Sequence, residues 1–375
     1  MARWYASIPN LDCSWQAPMK DILFRIGVSA DFKNEAPGLL EPFLEQVFGP
    51  FPFVERCFFP VEGKVVAAAH IMDFDAVITL KARYTAASLS GNNRLAIIAR
   101  WGAGYDMVDV PACTTADVLL AITPEAVRQP VAEGILAFFL ALAKNLPARD
   151  RITRSGLRDL TIENTGICLS GKVFGSVGLG NIASRMFRLI QAFDPARMLA
   201  CDPYVSPAQA EQLGVELVDL RTLFRESDFL AVTCPLNDET RGMIDRKLLS
   251  LMKPTAFFVN VARGGIVKEE DLVAVLQEGR IAGAGLDVFE QEPLPPHHPL
   301  ASLQNVMLTP HRIAWSDALY RGNGLGACHN VLTVLQGRVP EHTVNREVIH
   351  QPGFQAKLQL LGQRWASAVE RTVNM

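Results

Sequence analysis

Six residues near the middle of the chain, Gly178-Leu179-Gly180-Asn181-Ile182-Ala183, have the spacing of a loop that holds a phosphate group. The run before them, residues 173–177, predicts a buried strand, and the apolar side chains of residues 182–193 recur at helical spacing. In this context Gly178 makes the tight turn, and Gly180 lets the backbone approach a pyrophosphate at the helix N-terminus. A strand, two glycines and a helix in this order predict a dinucleotide-binding loop.

The next predicted strand ends at Asp202, at the distance from the glycines where dinucleotide-binding proteins place an acidic residue. A carboxylate there accepts hydrogen bonds from both ribose hydroxyls and repels a 2′-phosphate, which favours NAD over NADP. The alternative is that Asp202 is only a turn residue before Pro203. Together with the glycine loop, Asp202 leads us to expect NAD as the cofactor.

Three further segments place polar residues at the ends of predicted strands: Asn260-Val261-Ala262-Arg263-Gly264-Gly265, Leu286-Asp287-Val288-Phe289-Glu290-Gln291-Glu292-Pro293 and Leu308-Thr309-Pro310-His311. Doubly wound sheets bind their ligands at the carboxyl ends of the strands. These segments therefore contain the candidates for chemistry.

Taken in order, these motifs resemble the D-isomer-specific 2-hydroxyacid dehydrogenases, a family that includes phosphoglycerate, glycerate and D-lactate dehydrogenases. The resemblance extends over residues 75–345 and includes three other motifs: Arg100-Trp101-Gly102-Ala103-Gly104-Tyr105-Asp106, Val131-Ala132-Glu133, and Cys234-Pro235-Leu236 with Thr240. It implies that Arg263, Glu292 and His311 are the catalytic triad of an NAD-dependent enzyme that interconverts a D-2-hydroxy acid and its 2-oxo acid.

The chemistry of such a substrate suits these three residue types. A planar guanidinium such as that of Arg263 can hold both the carboxylate and the carbonyl through paired N–H groups. A histidine is an acid for reduction and a base for oxidation near neutral pH, and Glu292 beside His311 would favour the imidazolium and orient the ring. Alone, His311 would more often be a packed core histidine; its motif context favours catalysis.

The resemblance also implies binding residues. Those for the cofactor are Gly178, Gly180, Asn181, Ile182, Asp202, Thr233, Cys234, Pro235, Thr240, Val261, Ala262 and Asp287. Asp287 would contact the nicotinamide carboxamide, or it is a structural strand-end aspartate. The backbone N–H groups of Ala103 and Gly104 would hold the substrate carboxylate, or these residues only turn the chain. Lys81, with Arg83, either recognises a second anionic group of the substrate or is a surface charge.

Some residues depart from the family pattern and leave the substrate open. Met107 stands where the family usually has Asn, and Trp101, Tyr105 and Trp315 could crowd the substrate site. Two alternative functions also remain: a phosphite or formate dehydrogenase of the same superfamily, and an NADH-sensing co-repressor-like binding protein. Formate enzymes have Gln at the position of Glu292, which counts against that branch, whereas phosphite oxidation and sensing both retain the triad.

Composition excludes several other classes of function. The chain of 375 residues has a formal charge of −3 without runs of like charge, which argues against nucleic acid or an anionic membrane as partner. Its longest apolar run, residues 134–143, is about half a membrane span. Seven scattered cysteines without a C-x-x-C pair argue against a structural zinc or a disulfide framework, and we therefore expect a cytoplasmic protein. We interpret His297 and His298 as solvated loop residues and expect no metal.

Alternating strand and helix patterns predict an α/β fold with two doubly wound parallel-sheet domains. The predicted strands are residues 22–29, 75–80, 95–99, 118–122, 173–177, 198–201, 230–233, 256–261, 284–288 and 306–308, and the predicted helices include 39–47, 182–193 and 269–278. Residues 131–146 are apolar nearly all round and predict a buried helix with Pro130 in its first turn. The resemblance implies a Rossmann NAD-binding domain, residues 124–314, inserted in a flavodoxin-like catalytic domain, residues 1–123 and 315–375, and a homodimer.

Overall fold

The computed structural model describes residues 23–156 and 165–373, so Cys13 and Ile22, the first residue of the first predicted strand, lie outside the described residues. The chain divides into two compact units. The first contains the described residues up to Val127 and those from Asp317 onward, and the second is Arg128–Ser316. Each unit is built around one sheet in which all neighbouring strands are parallel.

The strands are β1 Phe24–Ser29, β2 Val54–Phe59, β3 Ala76–Thr79, β4 Ile97–Arg100, β5 Leu119–Ala121, β6 Val173–Val177, β7 Arg197–Cys201, β8 Glu216–Leu217, β9 Phe229–Val232, β10 Phe257–Asn260, β11 Gly283–Leu286 and β12 Val306–Leu308. The sheet of the first unit has five strands in the order β2-β1-β3-β4-β5, which is the flavodoxin-like order. The sheet of the second unit has seven strands in the order β12-β11-β10-β9-β6-β7-β8, a Rossmann arrangement with one additional strand.

Helices connect the strands in both units. They are α1 Asp31–Glu35, α2 Glu41–Phe48, α3 Ala86–Leu89, α4 Val110–Thr115, α5 Pro124–Ala143, α6 Leu146–Arg154, α7 Asn181–Ile190, α8 Pro207–Glu211, α9 Leu220–Glu226, α10 Arg246–Leu249, α11 Glu269–Gln277, α12 Asp317–Leu335 and α13 Pro352–Val373. Short 3-10 turns include Gly264–Ile266 and Pro299–Ser302. The predicted α/β class with parallel sheets is confirmed.

Alternation along the strands of the second unit divides its core between the two faces of the sheet. In β9, Phe229 and Ala231 belong to one buried cluster, whereas Leu230 and Val232 belong to the other. Helix α7 buries Ala183, Met186, Phe187 and Ile190, which recur at helical spacing along one side of the helix. Because apolar side chains cover both faces of this sheet, polar residues that bind a ligand are expected at the carboxyl ends of the strands.

The sequence interpretation missed two strands and misplaced one proline. Strands β2 and β8 lie at the edges of their sheets, where half-exposed positions interrupt the apolar run that marks a buried strand. Helix α5 begins at Pro124, so Pro130 lies inside it rather than in its first turn, and the helix ends at Ala143. By length and composition α5 could cross a membrane, but Ile135, Phe138 and Phe139 pack in the core of the second unit.

Five cysteines of the described residues are free thiols: Cys113, Cys168, Cys201, Cys234 and Cys328. Among the residues that the structure describes, no group of three or more potential ligand side chains is arranged to hold a metal ion.

Candidate active site

The glycine loop connects β6 to α7 in the second unit. Gly178 has a φ of 96°, and a Cβ built there would lie 3.0 Å from the backbone nitrogen of Cys234. The turn therefore requires glycine both for its backbone conformation and for the close approach of the neighbouring loop. Gly180 is the N-cap of α7, and a Cβ there would meet nothing within 4 Å. A pyrophosphate fits the space beside Gly180, where the backbone N–H groups of Asn181 and Ile182 in the first turn of α7 can bind it.

Asp202 follows β7 and lies beside this loop. Its Oδ2 accepts a hydrogen bond from the backbone N–H of Leu179 at 2.8 Å, and its Oδ1 accepts one from the N–H of Tyr204 at 2.9 Å. The second bond makes Asp202 a turn residue, as the alternative interpretation held. Because each carboxylate oxygen can accept more than one hydrogen bond, the side chain can still bind ribose hydroxyls.

The loop after β9 lies next to the glycine turn and is stabilised by its own side chains. The hydroxyl of Thr233 lies 3.2 Å from the carbonyl oxygens of Val177 and Gly178, and it can donate to either. The hydroxyl of Thr240 donates to the carbonyl of Pro235 at 2.7 Å. In this structure the two threonines therefore hold the loops in place, and Cys234 packs directly against Gly178.

Strand β10 ends at Asn260, a buried residue to which we had assigned no role. Its Oδ1 accepts the N–H of Ala262, and its Nδ2 donates to the carbonyl of Arg263, at 3.0 Å in both cases. Arg263 follows in extended conformation and is half-buried, and its Nη1 donates to the carbonyl of Ala262 at 2.7 Å. Asn260 thus shapes the turn that presents Arg263. The sequence signal for this role was an amide side chain at the end of a predicted buried strand.

Gly264 brings the arginine turn against the segment that leads to Glu292. A Cβ at Gly264 would lie 1.9 Å from the carbonyl carbon of Phe289 and 2.4 Å from the nitrogen of Glu290. Both contacts are with backbone, so no side-chain rotation could relieve them. Glycine is therefore required where the Arg263 turn packs against residues 289–290.

His311 and Glu292 are in direct contact. The Nδ1 atom of His311 lies 2.8 Å from Oε2 of Glu292, and Oε1 of Glu292 accepts the N–H of Phe289 at 3.2 Å. Both side chains are about one-third exposed. Because a carboxylate only accepts hydrogen bonds, Nδ1 is the donor in this contact, and Nε2 is the ring nitrogen that can exchange a proton with a substrate.

Asp287 organises the loop that contains His311. Its Oδ1 accepts hydrogen bonds from the hydroxyl of Thr309 at 2.6 Å and from the N–H groups of Arg312 at 2.8 Å and Ile313 at 3.0 Å. Burial raises the pKa of Asp287, against the opposing effect of these hydrogen bonds. These contacts are the ones expected of the structural alternative. His311 itself has a φ of 55°, and its N–H donates to the carbonyl of Asp287 at 2.7 Å.

In the first unit, the loop after β4 contains Ala103 and Gly104. Gly102 has a φ of 119°, and its N–H donates to the hydroxyl of Thr123, which in turn donates to Oδ1 of Asn323. This buried chain of hydrogen bonds holds the loop, and Ala103 and Gly104 are half-buried. Trp101 is only 4% exposed and packs against Phe32, so it belongs to the core rather than to a substrate pocket.

Other predicted residues make contacts of their own. Lys81 pairs with Glu35 at 3.1 Å and Arg83 is exposed. The guanidinium of Arg312 stacks on the ring of Trp315 at 3.8 Å. His297 is exposed as expected, but His298 is not a solvated loop residue, because its Nε2 lies 3.1 Å from Oε1 of Glu269.

Comparison with known proteins finds related sequences and related structures. Residues 136–312 match the family model of the NAD binding domain of D-isomer specific 2-hydroxyacid dehydrogenases. A glyoxylate reductase from Aeropyrum pernix is 38% identical over 289 residues, 75% of this chain and 86% of that protein. A D-3-phosphoglycerate dehydrogenase from Methanocaldococcus jannaschii is also 38% identical, over 69% of this chain and 49% of its own length. The apo structure of D-lactate dehydrogenase from Escherichia coli superposes with a TM-score of 0.70 at 25% identity, over 86% of this chain and 100% of that chain.

Proposed function

The chain belongs to the D-isomer specific 2-hydroxyacid dehydrogenases, which makes it an NAD-dependent oxidoreductase, and we propose that it interconverts a small 2-oxo acid and its D-2-hydroxy acid through Arg263, Glu292 and His311. The observation that carries this proposal is the 2.8 Å contact between His311 and Glu292. Glu292 follows β11 and His311 follows β12, and β11 lies between β12 and β10, the strand that leads into the arginine turn. The carboxylate-binding group, the carboxylate beside the histidine and the proton donor therefore follow the ends of three consecutive strands of the sheet.

The second unit supplies the residues that would hold the cofactor. When bound, NADH supplies the hydride that adds to the carbonyl carbon of the substrate. The Gly178 turn and the space beside Gly180 support pyrophosphate binding, and the carboxylate of Asp202 beside this loop supports hydrogen bonds to the ribose hydroxyls. We also assign cofactor contacts to Asn181, Ile182, Thr233, Cys234, Pro235, Thr240, Val261, Ala262 and Asp287.

In the reduction, Arg263 binds the carboxylate and the carbonyl oxygen of the 2-oxo acid through its paired N–H groups. Negative charge develops on that oxygen as hydride arrives, and Nε2 of His311 donates the proton that neutralises it. Glu292 holds Nδ1–H throughout, so the ring stays oriented while Nε2 transfers the proton. In the oxidation, neutral Nε2 accepts the proton of the hydroxyl group.

The first unit is proposed as the substrate domain, in which Ala103 and Gly104 offer backbone N–H groups to a carboxylate. Lys81 is a weaker candidate for a second anionic group, because its ammonium already pairs with Glu35. We also propose a cytoplasmic homodimer whose contact includes α5, since Val131, Leu136 and Leu140 of that helix are only partly buried.

The experiment that tests the function is NADH oxidation by the purified protein with a panel of oxo acids. Glyoxylate comes first because three relatives that are 35–38% identical to this chain are named glyoxylate reductases. Hydroxypyruvate, pyruvate, 2-oxoglutarate and phosphohydroxypyruvate follow. Turnover with one or more of these acids supports the proposal. NADH binding without turnover of any acid contradicts it, and favours phosphite oxidation or the sensing role.

Replacement of Asp202 by alanine is expected to weaken NADH binding by roughly tenfold to a hundredfold, because hydrogen bonds to a charged group each contribute about 1.5–3 kcal/mol. Binding of NADPH is expected to change less or to improve, since the repulsion of the 2′-phosphate is lost. Dissociation constants for both nucleotides, from fluorescence titration, check this. Asp238→Ala removes an exposed carboxylate from the loop that contains Thr240 and is the control; an unchanged NADH preference in Asp202→Ala would refute the ribose assignment.

A further inference from the structure

Near Glu292 lie three side chains that the proposed reaction does not use: Glu269, Glu290 and His298. Glu269 is the first residue of α11, and Lys268 before it provides no side-chain cap. The N–H of Glu269 donates instead to Oε1 of Glu290, and the N–H of Glu290 donates to Oε2 of Glu269, at 3.1 Å in both cases. This reciprocal pair satisfies an N–H that the helix leaves without an internal partner, and it attaches the glutamate segment to α11.

The other oxygen of Glu269 contacts His298. Its Oε1 lies 3.1 Å from Nε2 of His298, and Nδ1 of His298 accepts the N–H of Leu300 at 3.3 Å. Because Nδ1 is an acceptor, the proton of a neutral ring lies on Nε2, which then donates to Glu269. The Glu269 side chain is 12% exposed, and the His298 side chain is 21% exposed. Both oxygens of Glu269 therefore hold partners in a largely buried contact.

The surroundings of Glu269 carry several charges. Burial raises the pKa of Glu269, and the negative charges of Glu290 and Glu292 act in the same direction. The hydrogen bond from the N–H of Glu290 opposes them, as does the positive charge of His298 when that ring is protonated. Glu269, Glu290 and His298 thus form one cluster with Glu292, and a change at Glu269 or His298 reaches Glu292 through residues 289–292.

We propose that Glu269 and His298 are positioning residues, which hold residues 289–292 so that Glu292 faces Nδ1 of His311. This inference rests on the proposed function, because it concerns the same catalytic pair. Within the segment, the N–H of Phe289 is bound by Glu292 and that of Glu290 by Glu269. Gly264 packs against the same backbone. Among these three contacts, the one between Glu269 and the N–H of Glu290 attaches the segment to α11, and it is lost when Glu269 is replaced.

The test compares Glu269→Ala and His298→Ala with the wild type in the turnover of NADH and the best oxo acid. We expect kcat to fall about tenfold or more in each, because small displacements of a catalytic group have large effects on rate. The dissociation constant of NADH is expected to stay within about twofold, since neither residue belongs to the cofactor contacts. The double variant should lose little more than Glu269→Ala alone, because both residues act through one contact.

A conservative variant and a matched control complete the design. Glu290→Gln retains an oxygen that can accept the N–H of Glu269, so its kcat is expected within about twofold of wild type, whereas Glu290→Ala should lose activity. Glu270→Ala removes the next carboxylate of α11, which is exposed, and should have no effect. Unchanged kcat in both Glu269→Ala and His298→Ala, an equal loss in Glu270→Ala, or a parallel loss of NADH binding would overturn the inference. A wild type without turnover of any oxo acid would instead overturn the proposed function and this inference together.

Discussion

Replacement of His311 by alanine is expected to lower kcat by roughly 10²–10⁴-fold, the range that a positioned general acid contributes. The structure places Nδ1 of His311 against Glu292, and Nε2 is the ring nitrogen that we propose as the proton donor. No other histidine of the described residues makes a hydrogen bond with Glu292 in this structure. The measurement is steady-state turnover of NADH with the preferred oxo acid, together with the dissociation constant of NADH, which is expected to change little.

His297→Ala is the control for this prediction. His297 is exposed in the same unit, and its removal should leave kcat within about twofold of wild type. If His311→Ala retained turnover within a few-fold of the wild type, the assignment of His311 as the acid and base would be wrong. Glu292 would then be a structural partner of a histidine without a catalytic role.

Replacement of Arg263 by glutamine is expected to lower kcat/KM by roughly 10²–10⁴-fold, because two hydrogen bonds from a guanidinium to an anion contribute about 1.5–3 kcal/mol each. Arg263→Lys should recover part of the loss, since it retains the charge but not the paired geometry. Binding of NADH is expected to remain. The measurement is the dependence of initial rate on oxo acid concentration for the wild type and both variants.

Arg280→Gln is the matched control, because Arg280 is an exposed arginine of the same unit that pairs with Glu278. A similar kcat/KM in Arg280→Gln and the wild type is expected. If Arg263→Lys matched the wild type, a point charge would suffice, and the paired binding of carboxylate and carbonyl would be refuted. A loss of NADH binding in Arg263→Gln would place the arginine in the cofactor site.

Most of the predictions from the sequence depended on local patterns of residue spacing. The glycine loop and the strand that precedes Arg263 lie within a few residues of where the sequence placed them, because a buried strand needs a continuous apolar run. Strand β2 was missed because half-exposed positions interrupt its apolar run at the edge of the sheet. Pro130 was misplaced because proline at the start of a helix and proline inside one look alike in a sequence, and only the earlier start at Pro124 distinguishes them.

Long-range contacts escaped the sequence interpretation. The sequence left two roles for Asp287, a contact with the cofactor and a structural role at the strand end. Its three hydrogen bonds to residues 309–313 are long-range contacts that are visible only in the folded chain. His298 was read as solvated because its neighbours are prolines, yet it pairs with Glu269, which lies in a different element. Neither partner has a sequence spacing that predicts the other.

The sequence by itself determined the class of fold, the position of the glycine loop and the residue types at the strand ends, because these depend on the order and period of residues along the chain. Only the tertiary structure decided which nitrogen of His311 faces Glu292, which backbone Gly264 packs against, and how Glu269 holds the segment before Glu292. The physical reason is that strand order brings β10, β11 and β12 side by side. Hydrogen bonds between their ends depend on distances and directions that sequence separation does not encode.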